Sequence, residues 1–473
     1  NANGNAVTLV NSRFTGKYIA AGLNQGTGEV AGNTVRLEDS TVYGIVAGGL
    51  DWGYGRVNLT GNHVIIRGGK VIRDLTGQGD EFQSAMAIAG ARSLEGERVE
   101  KNMVSLGQTE IVGNVAGGAN QEGGNARENV VTVTGSTIQG YVGGGYINGA
   151  IPGNNGEEGH ADGNTVTITN THVKALKMEN GDVVNDGNIG GGYNQGTGTV
   201  SADNNNISIS VEDNEPIVGM KAGETDTRFE VEGFVAGGVI GQNGTGSTNN
   251  NTVTIINGST RGKSLHIGNY VAGGYNDGEG GHADGNTVTI KKAEVGTYIA
   301  GGYNTGTGKD VSVNQNTVNL EEVSLTSSGG TDGHFVVGGV IAGNNESGTV
   351  SGNNLAIRDS TLTVKYVAAG VNQGSGNVTG NSVKLENSTV YGIVAGGLDR
   401  ADENAVIGGM VNLTGNTVRI TGGSVQGDIM GARDRKEGGG MLRENRVILD
   451  GVGHVTGNVT GGLNQGRGSA LQN

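Results

Sequence analysis

Two stretches of this 473-residue chain read His-Ala-Asp-Gly-Asn-Thr-Val-Thr-Ile, one starting at His160 and the other at His282. Acids precede both: Glu157 and Glu158 in the first, Asp277 and Glu279 in the second. Imidazole and carboxylates so placed could hold a divalent cation. The plainer reading is one solvated turn copied by duplication. The residues favour it, because neither stretch carries the Gly-Gly-x-Gly-x-Asp calcium repeat or the closing Glu of an EF-hand. A second set of acids, Asp80, Glu81, Asp226, Glu230 and Glu232, could serve a glycan lyase or hydrolase. Such chemistry needs two carboxyls about 5–10 Å apart across one groove. The acids are spread along the chain, and no pair recurs at a spacing that singles it out. A chain without Cys has no thiolate nucleophile, disulfide or zinc–thiolate site. Strings such as Gly26-Thr-Gly28 lack the Gly-Lys-Ser/Thr and following helix of a phosphate loop. No catalytic residue, metal or cofactor is therefore expected.

Aromatic residues give a different signal. One opens a Val- or Ile-led apolar segment in seven places: Tyr18, Tyr141, Phe234, Tyr270, Tyr298, Phe335 and Tyr366. If the next residue points inward, strand alternation sends the ring outward over Ala or Gly. Such an exposed stripe could stack on sugars or grip a protein. Alternatively, the rings turn inward at a bend or cover one another as a ladder. Tyr146, Tyr193, Tyr275 and Tyr303 follow the Gly pair of the same segments, so alternation predicts that they share the buried aliphatic face. The pairs Thr165/Thr167 and Thr287/Thr289 would suit an ice-binding plane, but Arg36, Asn319, Lys384 and Arg419 at the second position break it.

A repeat must position these side chains. The pattern Asn-x-apolar-x-apolar begins at Asn5, Asn33, Asn62, Asn102, Asn129, Asn164, Asn205, Asn251, Asn286, Asn316, Asn353, Asn381, Asn416 and Asn445. Each unit opens on a strand such as Asn164–Ile168, then a short strand such as Ser40–Tyr43. A third strand such as Ile45–Leu50 follows, and a Gly/Asn-rich turn such as Asn24–Gly28 closes the unit. No unit sustains a helical apolar period. One such coil cannot bury its apolar face alone, whereas stacked coils share a continuous interior. We therefore expect an all-β, right-handed parallel β-helix (β-solenoid) of about 14 coils with three short strands each, plus loop inserts. The opening asparagines should form an internal amide ladder along the axis. Residues 18–51 nearly repeat at 366–399, so the array was built by duplication. We expect a single solenoid domain over 1–473, flanked by further coils in its parent protein.

Composition agrees. Gly supplies 95 residues and Pro only 2, which suits tight turns and excludes collagen. A net charge of −15 with scattered cations disfavours nucleic acid and anionic lipid as partners. Segments at 73–98, 147–162, 176–188, 212–232 and 400–410 read as inserts and as candidate binding loops. Deleting 73–98 or 212–232 is expected to spare the fold and weaken attachment.

Units such as Gly163–Asn170 followed by Asn188–Gly196 resemble passenger domains of the large Gly/Asn-rich autotransporter (type V secreted) adhesins of Gram-negative bacteria. The resemblance runs along essentially the whole chain. It implies a surface-displayed or secreted, non-catalytic stalk that attaches to a protein or glycan on host cells or other bacteria. Its only membrane contact would be a C-terminal barrel, which this sequence does not contain. The alternative is a glycan-processing β-helix enzyme of the lyase or tail-spike type.

Overall fold

The computed structural model describes residues 1–53, 57–73, 85–94, 98–121, 123–148, 159–178, 180–213, 228–242, 244–326, 333–343, 345–399, 410–434, 440–465 and 468–473. No helix occurs among them. The chain is a parallel β-solenoid, and it falls into two compact units. One holds Asn1–Gly244 with Asn257–Gly268, the other Thr245–Ile256 with Asn269–Asn473.

In the first unit, the strands opening successive repeats pair in parallel, from Ala6–Val10 through Thr34–Glu38 and onward to Asn206–Val211. Alternation fixes their faces. Val35 and Leu37 are fully buried while Arg36 between them is exposed. The second unit repeats this, with Val383 and Leu385 buried around an exposed Lys384. Within each unit, pairing of one described coil with the next satisfies backbone groups and brings apolar side chains into contact above and below.

The coil has three strands, but they divide differently from the sequence reading. The second and third segments belong to one sheet, and in places to one strand, as in Thr41–Asp51 and Thr389–Asp399. Gly44 and Gly392 bend these strands at positive φ without breaking them. The Gly/Asn-rich stretch expected to be only a turn holds the remaining strand, as in Gly28–Ala31 and Gly376–Thr379.

The insert boundaries also need correction. Residues 73–98 contain the strand Met86–Ser93, buried along its length and paired with Thr41–Asp51 and Asn114–Asn120. Its apolar-Ala-Gly motif is masked by Ala91 and Arg92 where several other coils have Gly followed by Tyr or Leu, as at Gly49-Leu50 and Gly145-Tyr146. Residues 212–232 contain Arg228–Val231, paired with Ser264–Ile267. Deleting either whole segment removes a stacked strand, so the expectation that the fold would survive is withdrawn. The stretch 147–162 runs into the short strand Gly159–His160, and 176–188 holds a two-stranded antiparallel hairpin. Residues 74–84, 149–158, 214–227 and 400–409 lie outside the described residues, and with them Asp80, Glu81, Glu157, Glu158 and Asp226.

Candidate functional site

The opening asparagines are the most regular polar groups in the structure. In the first unit, Asn5, Asn33, Asn62, Asn102, Asn129 and Asn164 each donate backbone N–H and side-chain Nδ2 to Oδ1 of the next asparagine, ending on Asn205. In the second, the same twofold donation runs Asn251, Asn286, Asn316, Asn353, Asn381, Asn416 and Asn445. It ends on Asn473, a rung outside the Asn-x-apolar-x-apolar pattern by which the others were read. Nδ2 often reaches a second acceptor, as from Asn62 to Val30 O at 2.9 Å. The corner that aims each amide inward is left-handed at the preceding residue, with φ 63° at Gly32 and 55° at Gln315. At buried rungs such as Asn62, Oδ1 accepts two N–H groups and Nδ2 donates to two acceptors, so the amide is fully used in joining coils.

The aromatic positions do not form an exposed stripe. Tyr141, Phe335 and Tyr366 are buried, and Tyr18, Phe234, Tyr270 and Tyr298 are half-buried. In the second unit the rings stack on one another: Tyr270–Tyr298 at 4.6 Å, Tyr298–Phe335 at 4.7 Å and Phe335–Tyr366 at 5.4 Å. The spacing is close to that between strands, so each ring face is filled by its neighbour. Stacking on a sugar needs an open face, and a mid-ladder ring such as Tyr298 has none.

Tyr275 and Tyr303 were expected beside the buried aliphatics; instead they join this ladder. Tyr275 stacks on Tyr303 at 5.1 Å, and both lie 5.5 Å from the ring opening their own segment. The cause is the Gly pair. A Cβ on Gly301 or on Gly302 would strike the Asn316 side chain, so both glycines face the interior. Two successive inward residues reverse the alternation, and Tyr303 emerges on the face of Tyr298. Beneath the rings, Ala300, Val337, Val340, Ala368 and Val371 form an apolar layer separate from the interior core of Val313, Val350 and Val378. Burial first, and neighbouring tyrosines second, push the Tyr298 hydroxyl well above its ordinary value of 10.0.

The two His-Ala-Asp turns share one arrangement. Ser201 Oγ lies 2.7 Å from His160 Nδ1 and donates to Asp162 at 2.8 Å. Ser312 Oγ lies 2.7 Å from His282 Nδ1 and donates to Asp284 at 2.7 Å. A hydroxyl has one proton, and here it goes to the carboxylate, so Nδ1 is the donor to Oγ. A nucleophilic triad needs the reverse order, with the hydroxyl proton passing to imidazole and the acid behind it. Each carboxylate also takes a backbone N–H, from Asp203 or Asn314. The constellation therefore latches neighbouring coils. Among the described residues no group of three His, Asp or Glu is placed to hold a metal. Ser312→Ala should lower folding stability by about 1–2 kcal/mol, read as a shifted urea midpoint, because Asp284 loses a hydrogen bond to its charged form.

The remaining acids sit apart. Glu230 lies 3.7 Å from Arg228, and Glu232 accepts the N–H of Ala175. On the outer face of the opening-strand sheet, the Lys291 hydrogen bond, helped by Arg358, holds the Glu321 carboxyl below the usual range. Lys384 does the same for Glu386.

Comparison with family models, curated proteins and solved structures gives no match for this chain.

Proposed function

We propose that this chain is a non-catalytic adhesive stalk displayed on, or secreted from, a Gram-negative bacterium as the passenger of a type V secreted adhesin. It attaches to proteins or glycans of host cells or other bacteria. The observation that carries this reading is where the polar chemistry goes. Asparagine amides, His–Ser–Asp turns and stacked rings are spent on joining coil to coil. A scaffold so built repeats its interior and varies its outward positions, as the series Thr289, Asn319, Ala356, Lys384 and Arg419 illustrates. Variation on a regular face suits recognition by surface contact. The paired carboxylates argue the same way, because a glycoside-cleaving acid must hold its proton near neutral pH, whereas Glu321 and Glu386 are held ionised.

The test is a binding screen of the purified chain on host cells, bacteria, immobilised glycans and host surface proteins, run beside an assay for new reducing ends on the same polysaccharides. Saturable attachment without cleavage is the expected result. Cleavage of a polysaccharide by the chain would replace this reading with the enzymatic one.

A further inference from the structure

The outer face of the opening-strand sheet in the second unit carries a groove of about 260 Å³. Its position follows from register. Outward positions Thr289, Asn319, Ala356, Lys384 and Arg419 lie side by side on consecutive strands. Two residues on, Lys291, Glu321, Arg358 and Glu386 form a parallel row. Ala356 is the one small side chain in the first row, so a notch opens between Asn319 and Lys384, walled by the charged row.

The charges are arranged unevenly. Glu321 bridges Lys291 at 3.2 Å and Arg358 at 2.5 Å, and Glu386 pairs with Lys384 at 2.6 Å. Asp359 lies 3.6 Å from Arg358 Nε. Arg419 has its own place beside Lys384 and acts on Glu386 through its charge. Among the residues that line the groove, three cations (Lys291, Arg358 and Lys384) meet two carboxylates (Glu321 and Glu386), which leaves one positive charge in a chain whose net charge is −15.

We propose that this notch binds one carboxylated sugar residue, a uronate or a sialate, of a surface glycan. This rests on the adhesive reading above and names the ligand class for one of its contacts. The single surplus charge fits a monoanion better than a phosphate dianion, which the flanking glutamates would repel. Arg358 already turns Nη2 to Glu321 and Nε to Asp359, so a ligand carboxylate would take a single charge-assisted hydrogen bond from its Nη1. Glu321, Glu386 and the Asn319 amide can accept from ring hydroxyls, and the Asn319 and Lys384 nitrogens can donate. The Ala356 methyl forms an apolar floor for a ring face. The volume falls below that of pockets for drug-sized molecules and suits a single ring.

The experiment measures binding of the full chain to tri-galacturonate, 3′-sialyllactose, methyl-esterified tri-galacturonate and a sulfated trisaccharide. Binding of either carboxylated probe, with at least about tenfold weaker binding of the ester, supports the proposal, since one charge-assisted hydrogen bond is at stake. Ala356→Phe fills the notch without changing charge, and Lys384→Glu reverses one wall; each should weaken binding about tenfold or more. A folded Lys384→Glu variant that binds as the parent does overturns the site. So does failure to bind both carboxylated probes, or equal or tighter binding of the sulfated one. If cell attachment persists through those results, the adhesive reading stands and only this site falls; if the chain attaches to nothing, both fall.

Discussion

Asn381→Leu is expected to cost the second unit about 5 kcal/mol of stability, on the order of the whole margin of an ordinary domain. The side chain is fully buried and takes part in four hydrogen bonds to the two coils beside it, and the backbone N–H of the same residue makes a fifth. Its Oδ1 accepts from N and Nδ2 of Asn353, at 3.0 and 2.9 Å. Its Nδ2 donates to Asn416 Oδ1 at 2.9 Å and to Val350 O at 3.0 Å. Its backbone N–H also reaches Asn416 Oδ1, at 3.2 Å, and only this bond survives substitution. Leucine has about the right volume but strands two donors and a carbonyl where water does not reach, each at about 1–3 kcal/mol before relaxation. Asn5→Leu is the control. Asn5 is exposed, and its side chain makes one bond along the ladder, so it should cost about 1 kcal/mol or less. Urea titration followed by circular dichroism reads the difference. Hydrogen exchange should place the loss at the Asn353 amide, because a solenoid couples nearest neighbours. Equal effects of the two substitutions would show that the amide column does not hold the coils together.

The ladder was legible because an asparagine before a strict period-2 strand marks both its corner and the buried face, as in Asn381-Ser-Val-Lys-Leu. The buried Val383 and Leu385 follow from that alternation alone. The aromatic segments were misread for a definite reason. A glycine has no side chain to announce which face it occupies, so Gly301 and Gly302 gave no warning that both point inward and carry Tyr303 to the outside. The strand Met86–Ser93 was hidden because Ala91 and Arg92 replaced the usual Gly-Gly-Tyr signature, and its neighbours looked like loop. The latch of His282 on Ser312 could not be read locally, since the partners are 30 residues apart and meet only through stacking. The same holds for the groove at Ala356. Its walls come from different repeats, and uneven insert lengths conceal which outward residues become neighbours.

A second large effect belongs to Tyr141, where ring and backbone are fitted to each other. Tyr141 is 2% exposed and fills the hollow left by two glycines on adjacent strands. A Cβ on Gly143 would lie 2.2 Å from its Cε1, and one on Gly190 would lie 2.4 Å from its hydroxyl oxygen. Its ring also meets Tyr146 and Tyr193 edge-on, each at 6.0 Å, while those two stack at 5.5 Å. Tyr141→Ala therefore empties a site that rigid strands cannot collapse into, and it should destabilise the first unit by about 3–5 kcal/mol. Gly190→Val alone should also destabilise, by about 1–3 kcal/mol, because the added methyls collide with the ring. Combined, the two should cost less than their sum, since the valine occupies part of the space the tyrosine vacates. That sign of coupling is the diagnostic result of a double-mutant cycle in urea. A strictly additive pair would mean that the ring does not sit over Gly190. Cell attachment per folded molecule should be unchanged in Tyr141→Ala, because a buried ring serves the scaffold; a folded variant that no longer attaches would return the aromatic positions to the binding surface.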